Sequence, residues 1–209
     1  MNAHTRHQSV IGPCGAIECA VDAPVAAPRG VAVVCHPHPQ HGGTMNNKVV
    51  QTLARAFTQL GYTAVRFNFR GVGASQGHWS KGVGEVDDAL AVVAAWRAPG
   101  QALVLAGFSF GAYVASQAAA RLALPGAHTA GGIERLVLVG AAASRFDMPA
   151  VAQDTLVIHG EADDVVPLAA VFDWARPQSL PVTVVPGAGH FFHGQLSLLK
   201  SLVLGAWRH

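Results

Sequence analysis

The chain has 209 residues, 51% of them hydrophobic and only 12% charged, with a formal net charge of +2. That composition excludes an intrinsically disordered chain, and the length suffices to bury a full core, so a single domain over 1–209 is expected. Its 14 basic residues are scattered, which gives no footprint for nucleic acid, and no apolar stretch reaches the ~18 residues a membrane span needs.

In chain order, the first eight residues lack the apolar core of a secretion signal, and a cytoplasmic protein is expected. Cys14, Cys19 and Cys35 are odd in number and form no Cys-x-x-Cys, so neither a disulfide framework nor a zinc ribbon is implied. Residues 15–22 read as one strand of an opening antiparallel pair. Residues 31–35 form an apolar run typical of a buried strand, and 47–60 have helical periodicity ended by Gly61. A strand over 64–69 follows, then a helix over 85–97 with acidic residues at its start and Pro99-Gly100 beyond its end. Residues 102–106 read as a central strand and 112–120 as a helix. The segment 126–132 reads as a surface loop. Further apolar strands over 136–139, 156–158 and 182–185, and a helix over 195–207, complete the pattern. Strands that are uniformly apolar and alternate with helices predict an α/β fold: a mostly parallel sheet, right-handed crossovers, and helices on both faces.

Between the central strand and its helix stands Gly107-Phe108-Ser109-Phe110-Gly111. A serine on a sharp strand-to-helix turn, flanked by small residues, is the signature of a nucleophile elbow. Serine is a weak nucleophile alone and needs a base, a group that orients the base, and donors for the oxyanion. The Phe110 amide, at a helix N-terminus, is one such donor. The acid is expected at a later strand end, where Glu161, Asp163 and Asp164 compete in His159-Gly160-Glu161-Ala162-Asp163-Asp164-Val165-Val166-Pro167. The base is expected at His190, in the glycine-rich loop after the last strand, with His193 as runner-up at the start of the final helix. The order serine, acid, histidine is the one this fold requires.

The loop His36-Pro37-His38-Pro39-Gln40-His41-Gly42-Gly43 sits where the second oxyanion donor belongs. Pro37 and Pro39 carry no N–H, which leaves the His38 amide. His36, His38 and His41 also suggest a metal site, but no downstream cluster has ligand spacing, so neither metal nor cofactor is expected. The glycines of 70–77 depart from Gly-x-Gly-x-x-Gly and precede no helix, so a dinucleotide site is rejected and Ser75 reads as part of a structural turn. Trp79, Phe110, Phe191 and Phe192 are candidates for lining a pocket.

On these residues the chain resembles the α/β-hydrolases, and more narrowly the small dienelactone-hydrolase-like members. The matching pieces are His36-Pro37-His38-Pro39 through Gly42-Gly43-Thr44-Met45, Arg66-Phe67-Asn68-Phe69-Arg70-Gly71, the elbow, the acid loop, and Gly189-His190-Phe191-Phe192-His193-Gly194. The resemblance places the acid at Asp163, a few residues after a strand-end His-Gly and before a Val-Pro. It departs from dienelactone hydrolases, whose nucleophile is cysteine, at Ser109. Residues 140–154 are too few for the helical cap that such proteins often insert there, which implies an open site. The expected function is a serine carboxylesterase for small-molecule esters, with Ser109, Asp163 and His190 catalytic and the amides of Phe110 and His38 as oxyanion donors. Thioesterase, peptidase and a non-catalytic binding module are the rivals.

Overall fold

The computed structural model describes residues 5–124 and 132–207. The surface loop expected over 126–132 lies outside the described residues apart from Gly132. The strands are β1 (Arg6–Gly12), β2 (Gly15–Asp22), β3 (Gly30–Cys35), β4 (Tyr62–Phe67), β5 (Ala102–Phe108), β6 (Arg135–Val139), β7 (Leu156–Gly160) and β8 (Val182–Val185). The helices are α1 (Lys48–Gln59), α2 (Val83–Trp96), α3 (Phe110–Leu122), α4 (Leu168–Ala175) and α5 (Leu196–Gly205). The strands form one sheet in the order β1-β2-β4-β3-β5-β6-β7-β8. β2 pairs antiparallel with β1 and with β4, and every other neighbouring pair is parallel.

Alternation along the strands builds both layers. Val31, Val33 and Cys35 of β3 and Leu103 and Leu105 of β5 face α2 and α3, meeting Val86, Val93, Val114 and Ala118. Ala32, Val34, Val104, Ala106 and Phe108 point the other way, onto Val50, Leu53 and Phe57 of α1 and Leu199 and Val203 of α5. Because both faces are covered, all six residues of β3 are buried, which is why its sequence reads as an unbroken apolar run. Truncating one such side chain, as in Leu105→Ala, costs about 2–5 kcal/mol.

Most elements fall where the sequence predicts them. Asn47 caps α1, its side chain accepting from the amides of Val49 and Val50. Glu85 turns back to accept from the amides of Ser80 and Gly82 at 2.9 and 2.8 Å, so α2 starts slightly earlier than expected. β4 ends at Phe67 because its pairing with β2 breaks there: the Asn68 amide still donates to the Glu18 carbonyl, but the Glu18 amide turns to Ser75 Oγ and the Phe69 amide to His36 Nε2. Ser75 is confirmed as part of a turn: it donates to the Asn68 carbonyl and accepts from the Glu18 amide, stitching β2 to β4. One helix, α4, is not anticipated, and the antiparallel pair expected around 15–22 is completed by β1, whose residues the sequence does not single out. No helix of the described residues is long and apolar enough to cross a membrane.

The topology positions the site. From β3 the chain moves outward to β4, then crosses back to β5 on the other side of β3. The loops after β3 and β5 therefore diverge at a switch point, where crevices form at the carboxyl ends of strands. Register brings five loops to one end: Cys35 pairs with Gly107, Phe108 with Val139, Val139 with Ile158, and Gly160 with Val185.

Candidate active site

Ser109 follows the last residue of β5 directly and is the cap residue of α3, with φ 58° and ψ −119°. A non-glycine residue at positive φ stores roughly 1–3 kcal/mol, which the surroundings must hold in place. Its amide donates to the Val139 carbonyl at 2.9 Å and its carbonyl accepts from Ala112. The turn needs its glycines for close approach. A Cβ on Gly107 would lie 2.0 Å from the Gly111 carbonyl oxygen, and one on Gly111 2.2 Å from that of Cys35. The side chain stays 8% exposed, facing a cleft.

His190 Nε2 lies 3.0 Å from Ser109 Oγ, and Nδ1 lies 2.7 Å from Asp163 Oδ2. Since that carboxylate is an acceptor, Nδ1 carries the proton and Nε2 presents its lone pair to the serine hydroxyl. The other Asp163 oxygen accepts from the amides of Val165 and Val166 at 3.0 and 2.7 Å. Burial alone would raise the Asp163 pKa, but the hydrogen bonds from His190 and Val166 and the nearby imidazoles outweigh it and hold the carboxyl below its ordinary range. The group is thus an anion matched to its partners. Asp164 is exposed, and Glu161 faces solvent while accepting from the Gly187 amide. The structure brings Ser109, Asp163 and His190 together and leaves the two competing carboxylates outside. His193 does not open the final helix as expected. It is exposed in the turn before α5, where it stacks on Phe191.

The sequence marks His159 only as the end of a strand, yet it is fully buried and lies beside Asp163. Its Nε2 donates to the Val166 carbonyl at 2.9 Å and lies 3.4 Å from Asp163 Oδ2, while Nδ1 has no partner among the described residues. Burial, the largest influence, keeps this imidazole's pKa below the ordinary value. A neutral His159 therefore clamps the loop that carries the acid.

The β3 loop accounts for its amides almost completely. Gln40 donates to His38 Nδ1, His41 and Gly43 to the His38 carbonyl, and Gly42 to the Pro39 carbonyl. With Pro37 and Pro39 lacking N–H groups, His38 has the one backbone donor over 37–43 with no acceptor among the described residues. The Phe110 amide at the start of α3 is in the same condition, and both residues line the cleft beside Ser109. His36 is fully buried and engaged at both nitrogens. Nδ1 lies 2.6 Å from the Pro37 carbonyl, and Nε2 accepts from the Phe69 amide at 3.0 Å. Burial lowers its pKa from 6.5 to about 4, so it stays neutral and pins the loop to the end of β4.

The cleft encloses about 550 Å³. Phe110 and Phe191 line it as anticipated, but Trp79 and Phe192 do not. Trp79 packs behind the wall, 4.6 Å from the His38 ring and 5.1 Å from Phe110. Phe192 is buried on the opposite face of the sheet with Leu199 and Val203. Sequence reasoning missed Phe146 and Arg145, which lie in a segment read only for its length. That segment forms turns with no helix among its residues, so no cap covers the cleft.

Comparison with known proteins agrees with this architecture. The family described as serine aminopeptidase, S33, matches residues 26–147, over half of the chain. A Xanthomonas campestris protein described as an α/β serine hydrolase without a lid is 41% identical, with TM-score 0.85, covering 99% of this chain and 94% of that one. An α/β serine hydrolase homologue from Coxiella burnetii is 38% identical, with TM-score 0.81 and 97% of each chain covered. An uncharacterized Rickettsia prowazekii (strain Madrid E) protein is 44% identical over 110 residues, 51% of this chain, and the match spans about half of that relative, 46% of its length. The chain belongs to the S33 family of the α/β-hydrolases and is a serine hydrolase without a lid.

Proposed function

We propose that the protein is a carboxylesterase that cleaves small acyl esters through Ser109, His190 and Asp163. The observation that carries this reading is the chain of contacts from Ser109 Oγ to His190 Nε2, 3.0 Å, and from His190 Nδ1 to Asp163 Oδ2, 2.7 Å. As the Ser109 oxygen bonds to the ester carbonyl carbon, its proton passes to His190 Nε2. The carbonyl oxygen becomes an oxyanion, which the amides of Phe110 and His38 receive. Asp163 holds the imidazole in the correct tautomer and stabilises its cation without itself taking the proton. The tetrahedral centre then collapses, the C–O bond to the alcohol breaks, and His190 returns the proton to the leaving oxygen. Water attacks the acyl-serine with His190 again as base, and the acid departs. Both amides are fixed by backbone geometry before substrate arrives, so their contribution needs no reorganisation.

The family's description favours a second reading, an aminopeptidase. Holding a free α-amine calls for a carboxylate in the cleft, and no Asp or Glu is among its described lining residues. That absence of a counter-charge supports esters over amino-terminal peptides. A panel of p-nitrophenyl esters, thioesters and aminoacyl amides tests the choice. Esters are expected to turn over fastest, and faster cleavage of the aminoacyl amides would overturn it. The free thiols of Cys14, Cys19 and Cys35 support a reducing, cytoplasmic location, which recovery of the native protein from an exported fraction would contradict.

A further inference from the structure

The outer wall of the cleft holds a charge that the proposed reaction does not use. After β6 the amides of Arg145 and Phe146 both donate to the Ala142 carbonyl, at 3.0 and 3.1 Å, which fixes the backbone of the turn. The Phe146 ring is wedged against Tyr113 and Phe110, with centroids 4.8 and 5.1 Å away, so the base of Arg145 is anchored in an aromatic cluster. Arg145 lines the cleft and is exposed, and its guanidinium makes no hydrogen bond or ion pair among the described residues. Arg29, Arg66, Arg70, Arg121 and Arg176, by contrast, each meet a carboxylate. The other polar side chains that line the cleft, His38, His41, Asn47, Ser109 and His190, include no carboxylate. Its field reaches into the cleft. The His38 pKa is lowered first by burial, then by the charges of His41 and Arg145.

A guanidinium is a planar fork that matches a carboxylate through two parallel hydrogen bonds. Here the cleft that Arg145 lines is walled by Phe110, Phe146 and Phe191, with no carboxylate among its described lining residues. We propose that Arg145 determines substrate specificity, and that the substrate is an ester carrying a carboxylate, which Arg145 binds while the ester carbonyl lies at Ser109. This rests on the esterase reading above.

The test compares matched anionic and neutral esters in two arms. With the charge on the acyl part, the p-nitrophenyl monoester of glutaric acid is set against p-nitrophenyl pentanoate. With the charge on the leaving group, the butyrate ester of 4-hydroxybenzoate is set against that of its methyl ester. The readout is the anionic-to-neutral ratio of kcat/KM. In at least one arm the wild-type ratio is expected to exceed about ten, from one charge-assisted contact, and to fall as salt is added. Arg145→Met should lower that ratio about tenfold, Arg145→Glu should lower it further, and Arg145→Lys should keep part of it. Arg6→Met, which makes the same change in net charge on the exposed β1, should leave the ratio where it was. A wild-type ratio near one in both arms, or the same ratio in Arg145→Met as in wild type, overturns the proposal. If the neutral esters are hydrolysed and a fluorophosphonate labels Ser109, that failure belongs to this proposal alone. If no ester is hydrolysed and Ser109 is not labelled, the esterase reading falls and takes this proposal with it.

Discussion

Behind Ser109 the site is buried, and its proton-transfer groups are already hydrogen-bonded to one another. His190 and Asp163 are 3% and 6% exposed, and the carboxylate accepts from His190 and from the amides of Val165 and Val166. In front of it the same serine faces a cleft whose rim, His41, Arg145 and Phe191, is exposed, and where the amides of His38 and Phe110 have no acceptor among the described residues. The difference separates two tasks. Proton transfer needs groups fixed at hydrogen-bond distance before substrate arrives, so that side is closed by backbone contacts. Recognition needs donors that become satisfied only when the substrate binds, so that side is left open.

Mutations on the closed side should cost most. Ser109→Ala should lower esterase kcat/KM by about 10⁶-fold with thermal stability nearly unchanged, since the residue is small and its backbone holds the turn. Asp163→Asn should lower kcat about 10⁴-fold by spoiling the imidazole tautomer, as in other such triads, and Asp164→Asn should stay within about twofold. Equal losses in the two variants would dissolve the distinction between the wired carboxylate and the exposed one.

A smaller effect is expected one layer further back. His159→Leu removes the clamp on the Val166 carbonyl, and should lower kcat by roughly tenfold to a hundredfold with little change in KM, because the acid is misplaced while the cleft is not. Partial rescue by His159→Gln, which restores a donor, would separate positioning from simple loss of volume. A change confined to KM would place His159 in the cleft's task instead.

The open side has a buried support of its own in His36, and pH reads it. Its pKa is about 4 in the folded protein against 6.5 ordinarily. Between those values the unfolded chain binds a proton that the folded chain refuses, so stability is full above pH 6.5 and falls as pH drops towards 4. The loss by pH 4 is about 3 kcal/mol from this group. Denaturant midpoints at pH 7 and pH 4.5 should show the decline in the wild type and a shallower one in His36→Gln. Parallel pH slopes in the two proteins would mean that His36 is not what ties the β3 loop down. The smallest effect is expected at the exposed surface, where His193→Ala should change kcat/KM less than about threefold.

The closed side was also the more legible one. Gly107 and Gly111 advertise the elbow because backbones approach where no Cβ fits, a constraint that only glycine can meet. Asp163 and His190 follow apolar runs that mark strand ends, so parallel topology alone brings their loops together. Choosing Asp163 over Asp164 needed the family resemblance, because the two differ only in which way the loop turns them. Arg145 and Phe146 carried no such mark. They sit in a turn held by the Ala142 carbonyl and an aromatic cluster, and neither contact leaves a period in the sequence. Trp79 and Phe192 show the same limit in reverse, since an aromatic near a motif can pack behind the wall as readily as on it. α4 escaped notice because eight residues give barely two turns, too few for a clear period, and β1 because both its faces are largely exposed.

The central claim is that Ser109 forms the acyl-enzyme with His190 as its base. The direct measurement is rapid mixing with a p-nitrophenyl ester, acid quenching, and mass spectrometry of the peptide that contains Ser109. A burst of p-nitrophenol and an acyl mass increment on Ser109 are expected in the wild type, and neither in Ser109→Ala or His190→Ala. An increment on another residue, or undiminished turnover in Ser109→Ala, would contradict it.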